Sequence, residues 1–169
     1  MNSKKVDKLT YDRLKEVLFY DQNTGIFLWK YSKQSRFVGE IAGSKNNKGY
    51  RSISIDGVLY KEHRLAWFYV YGKWPENEID HINRIKIDNK ISNLREVTKS
   101  QNRQNINVKK NNKSGCRGVS WHKTHKRWGA RIGIDKKFYH LGYFDTKEEA
   151  YKAYLDAAAR LHTHNPVVS

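Results

Sequence analysis

The sequence predicts an α+β protein made of small modules, each a short sheet with a helix, in place of one large layered core. Three observations carry this. Apolar residues are only 38% of the 169 residues, yet aromatics reach 13% and run along the whole length, a composition suited to a folded chain with several limited cores. Short alternating segments recur between Asn, Asp and Gly turns. Helical patterns are few and short, and three of them open on a threonine able to cap them, Thr10, Thr98 and Thr146.

Taken in order, the first pattern is a helix from Thr10, with Leu14, Val17 and Leu18 on one face. After Asn23-Thr24-Gly25 the period changes to two. Ile26 to Tyr31, Tyr50 to Ile55 and Val58 to Lys61 are expected strands, the last two joined by Asp56-Gly57, a strong two-residue hairpin signal. Lys45 to Gly49 is a polar loop. A second helix is expected from His63 to Tyr71, closed by Gly72 and the nearby Pro75. His63 and Arg64 stay unassigned, because a lone histidine at a helix start usually has a structural role. Further on, Leu94 to Val97 forms a strand, and Thr98 with Gln101 makes a capping box that sets Asn102 in the first turn of a helix. Residues 105–114 have almost no apolar content and are expected to be a linker, whose Lys109, Lys110, Asn111 and Asn112 could follow a phosphate backbone. Arg117 to His122, Arg127 to Ile134 and Phe138 to Phe144 then alternate like three strands. A last helix opens on the Thr146 and Glu149 capping box and carries a stripe of Ala150, Ala153, Tyr154, Ala157 and Leu161.

Charge bounds the partner. The net charge is +16 and the isoelectric point is near 9.9, which calls for a polyanion, since Lys and Arg that neutralise phosphates release counterions. The surplus is unevenly spread: 12 basic against 6 acidic residues up to Lys61, 6 against 6 from Glu62 to Thr98, and 12 against the single Asp135 from Lys99 to Lys137. A neutral middle flanked by basic segments is the pattern of a reaction centre held on nucleic acid by its flanks. The basic residues near the first sheet, Lys30, Lys33, Arg36, Lys45, Lys48 and Arg51, permit such contact and no more. The single cysteine, Cys116, excludes an internal disulfide and cysteine-rich zinc knuckles. With no long apolar run and no secretory leader in Met1 to Lys8, a soluble cytoplasmic protein is expected.

The densest polar signal is Glu78-Ile79-Asp80-His81-Ile82, followed by Asn93-Leu94-Arg95 and by Gln101, Asn102 and Asn105. Phosphodiester hydrolysis needs a water nucleophile, a base for its proton and positive charge where the phosphate becomes more negative. Asp80, His81 and Asn102 could supply all three. Asp80-His81, Asn93 thirteen residues after Asp80, and Asn102 nine further on resemble the ββα-metal core of phage and intron-encoded HNH (His-Me finger) endonucleases. The resemblance implies that His81 is the general base, that Asp80 and Asn102 hold one divalent ion, and that Asn93 braces the loop and orients His81. The third motif position is Asn102 where many relatives carry a second histidine, which argues against zinc. A carboxylate and an amide oxygen are hard ligands that favour Mg²⁺ or Mn²⁺. Lys86 and Arg103 are either phosphate contacts or plain surface charges.

The tail carries a second resemblance. Arg117-Gly118-Val119, Trp128-Gly129-Ala130-Arg131-Ile132, Leu141-Gly142-Tyr143-Phe144-Asp145-Thr146, Glu148-Glu149-Ala150 and Ala153-Tyr154 are similar to the Apetala/ethylene-response type of plant DNA-binding domain. That family lays a three-stranded sheet, backed by one helix, in the major groove. The implied contacts are Arg117, Ser120, His122, Arg127, Arg131, His140 and Tyr143. Ser120, His122 and His140 stand where Arg, Arg and Trp are usual, so the bases read do not carry over. Trp121 and Trp128 either pack against the sheet or stack on bases.

The sequence thus predicts four segments: an N-terminal β-rich module at 1–61 open to DNA contact, an HNH core at 62–107, a linker at 108–114 and a DNA-binding domain at 115–169. The expected activity is site-selective, metal-dependent cutting of double-stranded DNA, of phage or homing type. One motif implies one active site and a nick, for which a monomer suffices. A non-catalytic DNA-binding regulator is the competing expectation, and an RNA or structure-specific nuclease a third.

Overall fold

A computed structural model describes residues 9–30, 38–105, 108, 112–135 and 137–164. The architecture is mixed α and β with small sheets, and the chain divides into two compact units, Met1–Glu96 and Val97–Ser169.

In the first unit, helix α1 (Tyr11–Val17) opens as expected on Thr10, whose hydroxyl accepts from the Arg13 amide at 3.2 Å. Leu14 and Val17 are its buried face. Leu18 does not continue that face. It begins strand β1 (Leu18–Asp21), which pairs antiparallel with β2 (Ile26–Trp29). The helix yields here because the next residues alternate and lead into a tight turn. There the Asp21 carboxylate accepts from the Asn23 amide and the Thr24 hydroxyl, and Gly25 takes a positive φ of 75°.

Strands β3 (Ser44–Lys45), β4 (Arg51–Ile55) and β5 (Val58–Lys61) form a second sheet, with β4 in the middle. Asp56 and Gly57 both have positive φ, 48° and 78°, the type I′ geometry that the pair signals. Helix α2 (Glu62–Tyr71) ends on Gly72 in the left-handed region, whose N–H bonds the Phe68 carbonyl at 2.9 Å. Strand β6 (Glu78–His81) pairs with β7 (Leu94–Val97) after a short 3₁₀ turn at Ile91–Asn93.

The expected boundary at residue 61 is not a boundary between cores. Leu14, Leu18, Phe27 and Ile53 share one buried cluster with Leu65, Phe68, Ile79 and Leu94. The N-terminal strands and the β6–β7 segment therefore form a single apolar interior. Tyr20, Phe27 and Tyr69 stack or meet edge-on inside it.

The second unit opens with α3 (Lys99–Gln104) on the expected Thr98 and Gln101 capping box. Of the expected linker, residues 106, 107 and 109–111 lie outside the described residues. Asn112 and Ser114 belong to the folded unit: the Asn112 amide donates to the Cys116 carbonyl and the Ser114 hydroxyl to that of Val119. Strands β8 (Val119–His122), β9 (Arg127–Ile134) and β10 (Lys137–Phe144) make an antiparallel sheet with β9 central, and α4 (Lys147–Leu161) packs on it. The helix buries Ala150, Tyr154 and Ala158 against Val119, Ala130 and Ile132. This face follows an i, i+4 row, so Leu161, expected in the stripe, is 47% exposed.

Gly118 fixes this packing. Its φ is +73°, and a Cβ there would run into the Tyr154 ring and approach the Arg131 carbonyl oxygen to 2.5 Å. Gly115 has a similar φ of +69° with open space around it. Gly118→Ala should therefore cost about 2 to 4 kcal/mol from backbone strain plus overpacking, and Gly115→Ala only about 1 kcal/mol. Urea unfolding of the two variants checks this, and equal losses would show that Tyr154 does not press on Gly118.

Candidate active site and nucleic-acid interface

Asp80 and His81 end β6 and are both buried. The Asp80 carboxylate accepts from the Arg95 guanidinium through one oxygen, at 2.8 and 3.0 Å. Arg95 stands on the paired strand β7. The loop that follows is held by Asn93. Its carbonyl accepts from Ile82, its side-chain oxygen accepts from the Asn83 amide, and its NH₂ donates to the Asn83 side chain and the Asp88 carbonyl. Bracing of the loop by Asn93 was expected. The side chain against the His81 ring is a different asparagine: His81 Nε2 lies 2.9 Å from Asn89 Oδ1.

Asn89 is completely buried and is one step of a longer chain of contacts. Its NH₂ donates to Glu62 Oε2 at 2.9 Å. Glu62, at the start of α2 and 1% exposed, accepts from Arg51 Nε at 2.9 and 3.0 Å. Arg51 also donates to the carbonyls of Ala42 and Gly43. Burial pushes the Glu62 carboxyl above its ordinary range, and Arg51 opposes this. His63, the next residue, meets His81 edge-on with ring centroids 5.2 Å apart. Its Nδ1 is buried with no hydrogen-bond partner. Burial lowers the His63 pKa to about 3, and it also lowers that of His81, which the Asn89 contact counters.

Asn89 and Glu62 have no role assigned from sequence, His63 is left unassigned there, and Arg51 is expected only among basic residues open to DNA contact, whereas its guanidinium bonds Glu62 and the Ala42 and Gly43 carbonyls. Asn89 sits in a polar loop where asparagine is ordinary, and a buried glutamate is visible only once Arg51 is known to lie beside it. His63 has a signal, its place beside Arg64 at a helix start, but a lone histidine there usually has a structural role and it stays unassigned. Lys86, left open above, donates to the Lys48 carbonyl at 2.9 Å and lies over the Tyr50 ring. Asn102 is the fourth residue of α3 in the second unit, half-buried, with its amide bonded to the Thr98 carbonyl. Among the described residues no group of three or more His, Cys, Asp or Glu side chains is arranged to hold a metal ion. The expected ligands are instead one carboxylate and one amide.

In the second unit, six of the seven expected DNA contacts share one face of the sheet. The register pairs Ser120 with Gly129, His122 with Arg127, His140 with Arg131 and Tyr143 with Gly129. Cross-strand partners share a face, and alternate residues along β9 return to it. A bulge between His140 and Gly142, where Gly142 has φ 132°, brings His140 and Tyr143 to the same side although three residues separate them. Val119, Ala130 and Ile132 fill the opposite face, under α4. Tyr143 contacts the rings of His122, His125 and His140 at 4.4 to 5.1 Å. Arg117 differs: its guanidinium donates to the carbonyls of Arg103 and Gln104 at the end of α3. Trp121 and Trp128 pair edge-on with each other at 5.4 Å on the α4 side, and Trp128 packs on the core.

Residues 60–104 match the family model described as HNH endonuclease. Among curated proteins, the chain is similar to protein 3.8 of Escherichia phage T7, at 30% identity over 78 residues, 46% of this chain and 64% of that protein. It is 41% identical over 73 residues to an uncharacterized HNH endonuclease of Acanthamoeba polyphaga mimivirus, covering 38% of this chain and 18% of the viral one. It is also 45% identical over 58 residues to APETALA2-like protein 2 of Oryza sativa, 33% of this chain and 13% of the plant protein. The chain spans less than two thirds of the length of each of these relatives. No solved structure matches it.

The depressed pKa of His63 has a consequence for stability. A histidine kept neutral by burial stabilises the fold above its ordinary pKa of 6.5, and this contribution is lost as the pH falls from there toward about 3. At its steepest the loss is about 1.4 kcal/mol per pH unit. Wild type should therefore lose more stability between pH 7 and pH 5 than His63→Phe, which keeps an aromatic ring and cannot take up the proton. Denaturant titrations at the two pH values measure this, and parallel losses in both proteins would refute it.

Proposed function

We propose that the chain is a divalent-metal-dependent DNA endonuclease that nicks double-stranded DNA, its second unit binding the duplex through the exposed face of its sheet. The observation that carries this reading is the buried pair Asp80 and His81, braced by Arg95, Asn93 and Asn89 inside the segment matched by the HNH endonuclease model. The name of the mimivirus relative supports the same activity.

In this reading His81 takes the proton from the attacking water through its imidazole lone pair, as a general base. Asp80 and Asn102 would hold one Mg²⁺ or Mn²⁺. Their donors fit such an ion, being a carboxylate and an amide oxygen, both hard ligands that leave positions for water. When bound, the ion supplies positive charge to the phosphate and the leaving oxygen. Arg95 holds the Asp80 carboxylate in orientation, and Asn93 keeps the loop closed on itself.

The sheet reading rests on Ser120, His122, Arg127, Arg131, His140 and Tyr143 sharing the side away from α4, and on the similarity to the plant protein. Arg117 would act on DNA only indirectly, by steadying the end of α3.

His81→Ala should lower the rate of nicking of supercoiled plasmid in Mg²⁺ by about 10² to 10⁴, with DNA affinity nearly unchanged. Asp80→Ala should be as damaging. Folded variants that nick at the wild-type rate would remove the proposed site. For the interface, Arg127→Ala with Arg131→Ala should make log affinity less steep against log salt by up to about 1.8, at about 0.9 for each phosphate neutralised. Lys152→Ala with Arg160→Ala, on exposed positions of α4, should leave the slope unchanged. Equal effects from the two pairs would argue that the sheet face is not the binding surface.

A further inference from the structure

We propose that Asn89 is a positioning residue that, locked by Glu62 and Arg51, holds the proton of the His81 ring on Nε2 and makes Nδ1 the nitrogen that accepts a proton. The inference deepens the nuclease reading and rests on it for its catalytic meaning.

It follows from the donor and acceptor character of each group. A guanidinium only donates, and both oxygens of Glu62 accept from Arg51 Nε, at 2.9 and 3.0 Å, as those of a carboxylate do. An ionised carboxylate only accepts, so the Asn89 atom 2.9 Å from Glu62 Oε2 has to be the NH₂. The Asn89 atom facing His81 at 2.9 Å is then the carbonyl oxygen, which also only accepts. His81 must donate to it from Nε2–H, and in the neutral ring Nδ1 carries the lone pair. Turning the Asn89 amide over would set its oxygen against the Glu62 carboxylate in a place without solvent, where like partial charges repel most strongly. The fixed charge of Arg51 thereby dictates, through two intermediates, which nitrogen of His81 is basic.

The surrounding structure keeps Asn89 from leaving this position. The Tyr20 hydroxyl donates to its carbonyl at 2.6 Å. Gly25, in the β1–β2 turn, lies so close that a Cβ would come 2.5 Å from the Asn89 carbonyl carbon and closer still to the Lys90 nitrogen. Gly43 makes room for the other end, since a Cβ there would approach Glu62 Oε1 to 2.8 Å. Both glycines have positive φ, 75° and 78°. The N-terminal strands, which carry no residue of the expected catalytic set, thus act on the site by clamping Asn89 and Glu62.

The test uses the full chain labelled with ¹⁵N-histidine, in which the His81 ring signals are identified among seven histidines by their loss in His81→Ala. At neutral pH the wild-type ring should give a protonated-type Nε2 and an unprotonated-type Nδ1 shift, with one tautomer populated. Glu62→Gln, nearly isosteric, frees the Asn89 amide to turn. It should give averaged ring shifts and a kcat about 10- to 100-fold lower for plasmid nicking, with KM little changed. Asn89→Ala should do the same, and Glu62→Gln keeps the test decisive if that variant does not fold. A wild-type ring with mixed tautomers, or with the proton on Nδ1, would overturn the proposal whatever the cleavage rate. So would a Glu62→Gln protein with unchanged shifts and unchanged kcat. A wild-type protein with the expected tautomer but no nicking under any divalent ion would leave the ring assignment in place and sink the nuclease reading, and with it the catalytic role of Asn89.

Discussion

A glutamate carboxylate with 1% of its surface exposed cannot stay ionised inside an apolar core without a partner, because desolvating a charge costs several kcal/mol. Arg51 supplies that partner from the neighbouring strand. The consequences spread through the first unit. Arg51 must lie on β4 opposite the start of α2, Gly43 must lack a side chain so that Glu62 has room, and Asn89 must turn its amide inward to satisfy the second carboxylate oxygen. Three segments far apart in sequence are therefore tied to one buried charge. A pairing of this sort adds little net stability over apolar packing of the same volume, but losing one partner strands the other. Its contribution is to select one arrangement of β4, α2 and the loop over others that the apolar core would tolerate.

The parts of the fold that were legible in the sequence are those specified within a few residues. Asp56-Gly57 names its own turn because only residues tolerant of positive φ fit it. Thr98 with Gln101 and Thr146 with Glu149 name their helix starts because each satisfies two amide donors reciprocally. Asp80, His81 and Asn93 stand out as candidates because a motif spacing is also local. What escaped was set by partners at long range. Leu18 continues the apolar periodicity of α1, whereas pairing with Trp29 makes it a strand residue. Asn89 and Glu62 are 27 positions apart, and neither looks unusual alone. The module boundary at residue 61 failed for the same reason: composition changes there, but the apolar side chains on either side fill one interior.

In the second unit a local irregularity does what a regular strand could not. With strict alternation along β10, His140 and Tyr143 would point to opposite faces. The bulge adds one residue, and Gly142 accepts the φ of 132° that follows. Both side chains then stand beside Arg131, Arg127 and Ser120, while α4 occupies the other face. Arg117 stands apart from that face. Its place in the pattern matches, yet its guanidinium is spent on the carbonyls that end α3, groups that lack helical partners and attract a cation.

The chemistry proposed for His81 sets two demands that pull against each other. A base must be neutral to accept a proton, and burial assists that by lowering its pKa. A neutral ring, however, has no charge by which the protein can hold it, so orientation has to come from hydrogen bonds whose polarity is defined. A lone asparagine does not define it, since its oxygen and nitrogen can exchange places at little cost in shape. Coupling that asparagine to a carboxylate, and the carboxylate to a guanidinium that cannot give up its proton, removes the ambiguity. The charge is kept away from the ring and only its direction is passed on, so that His81 can be neutral and still be held in one orientation.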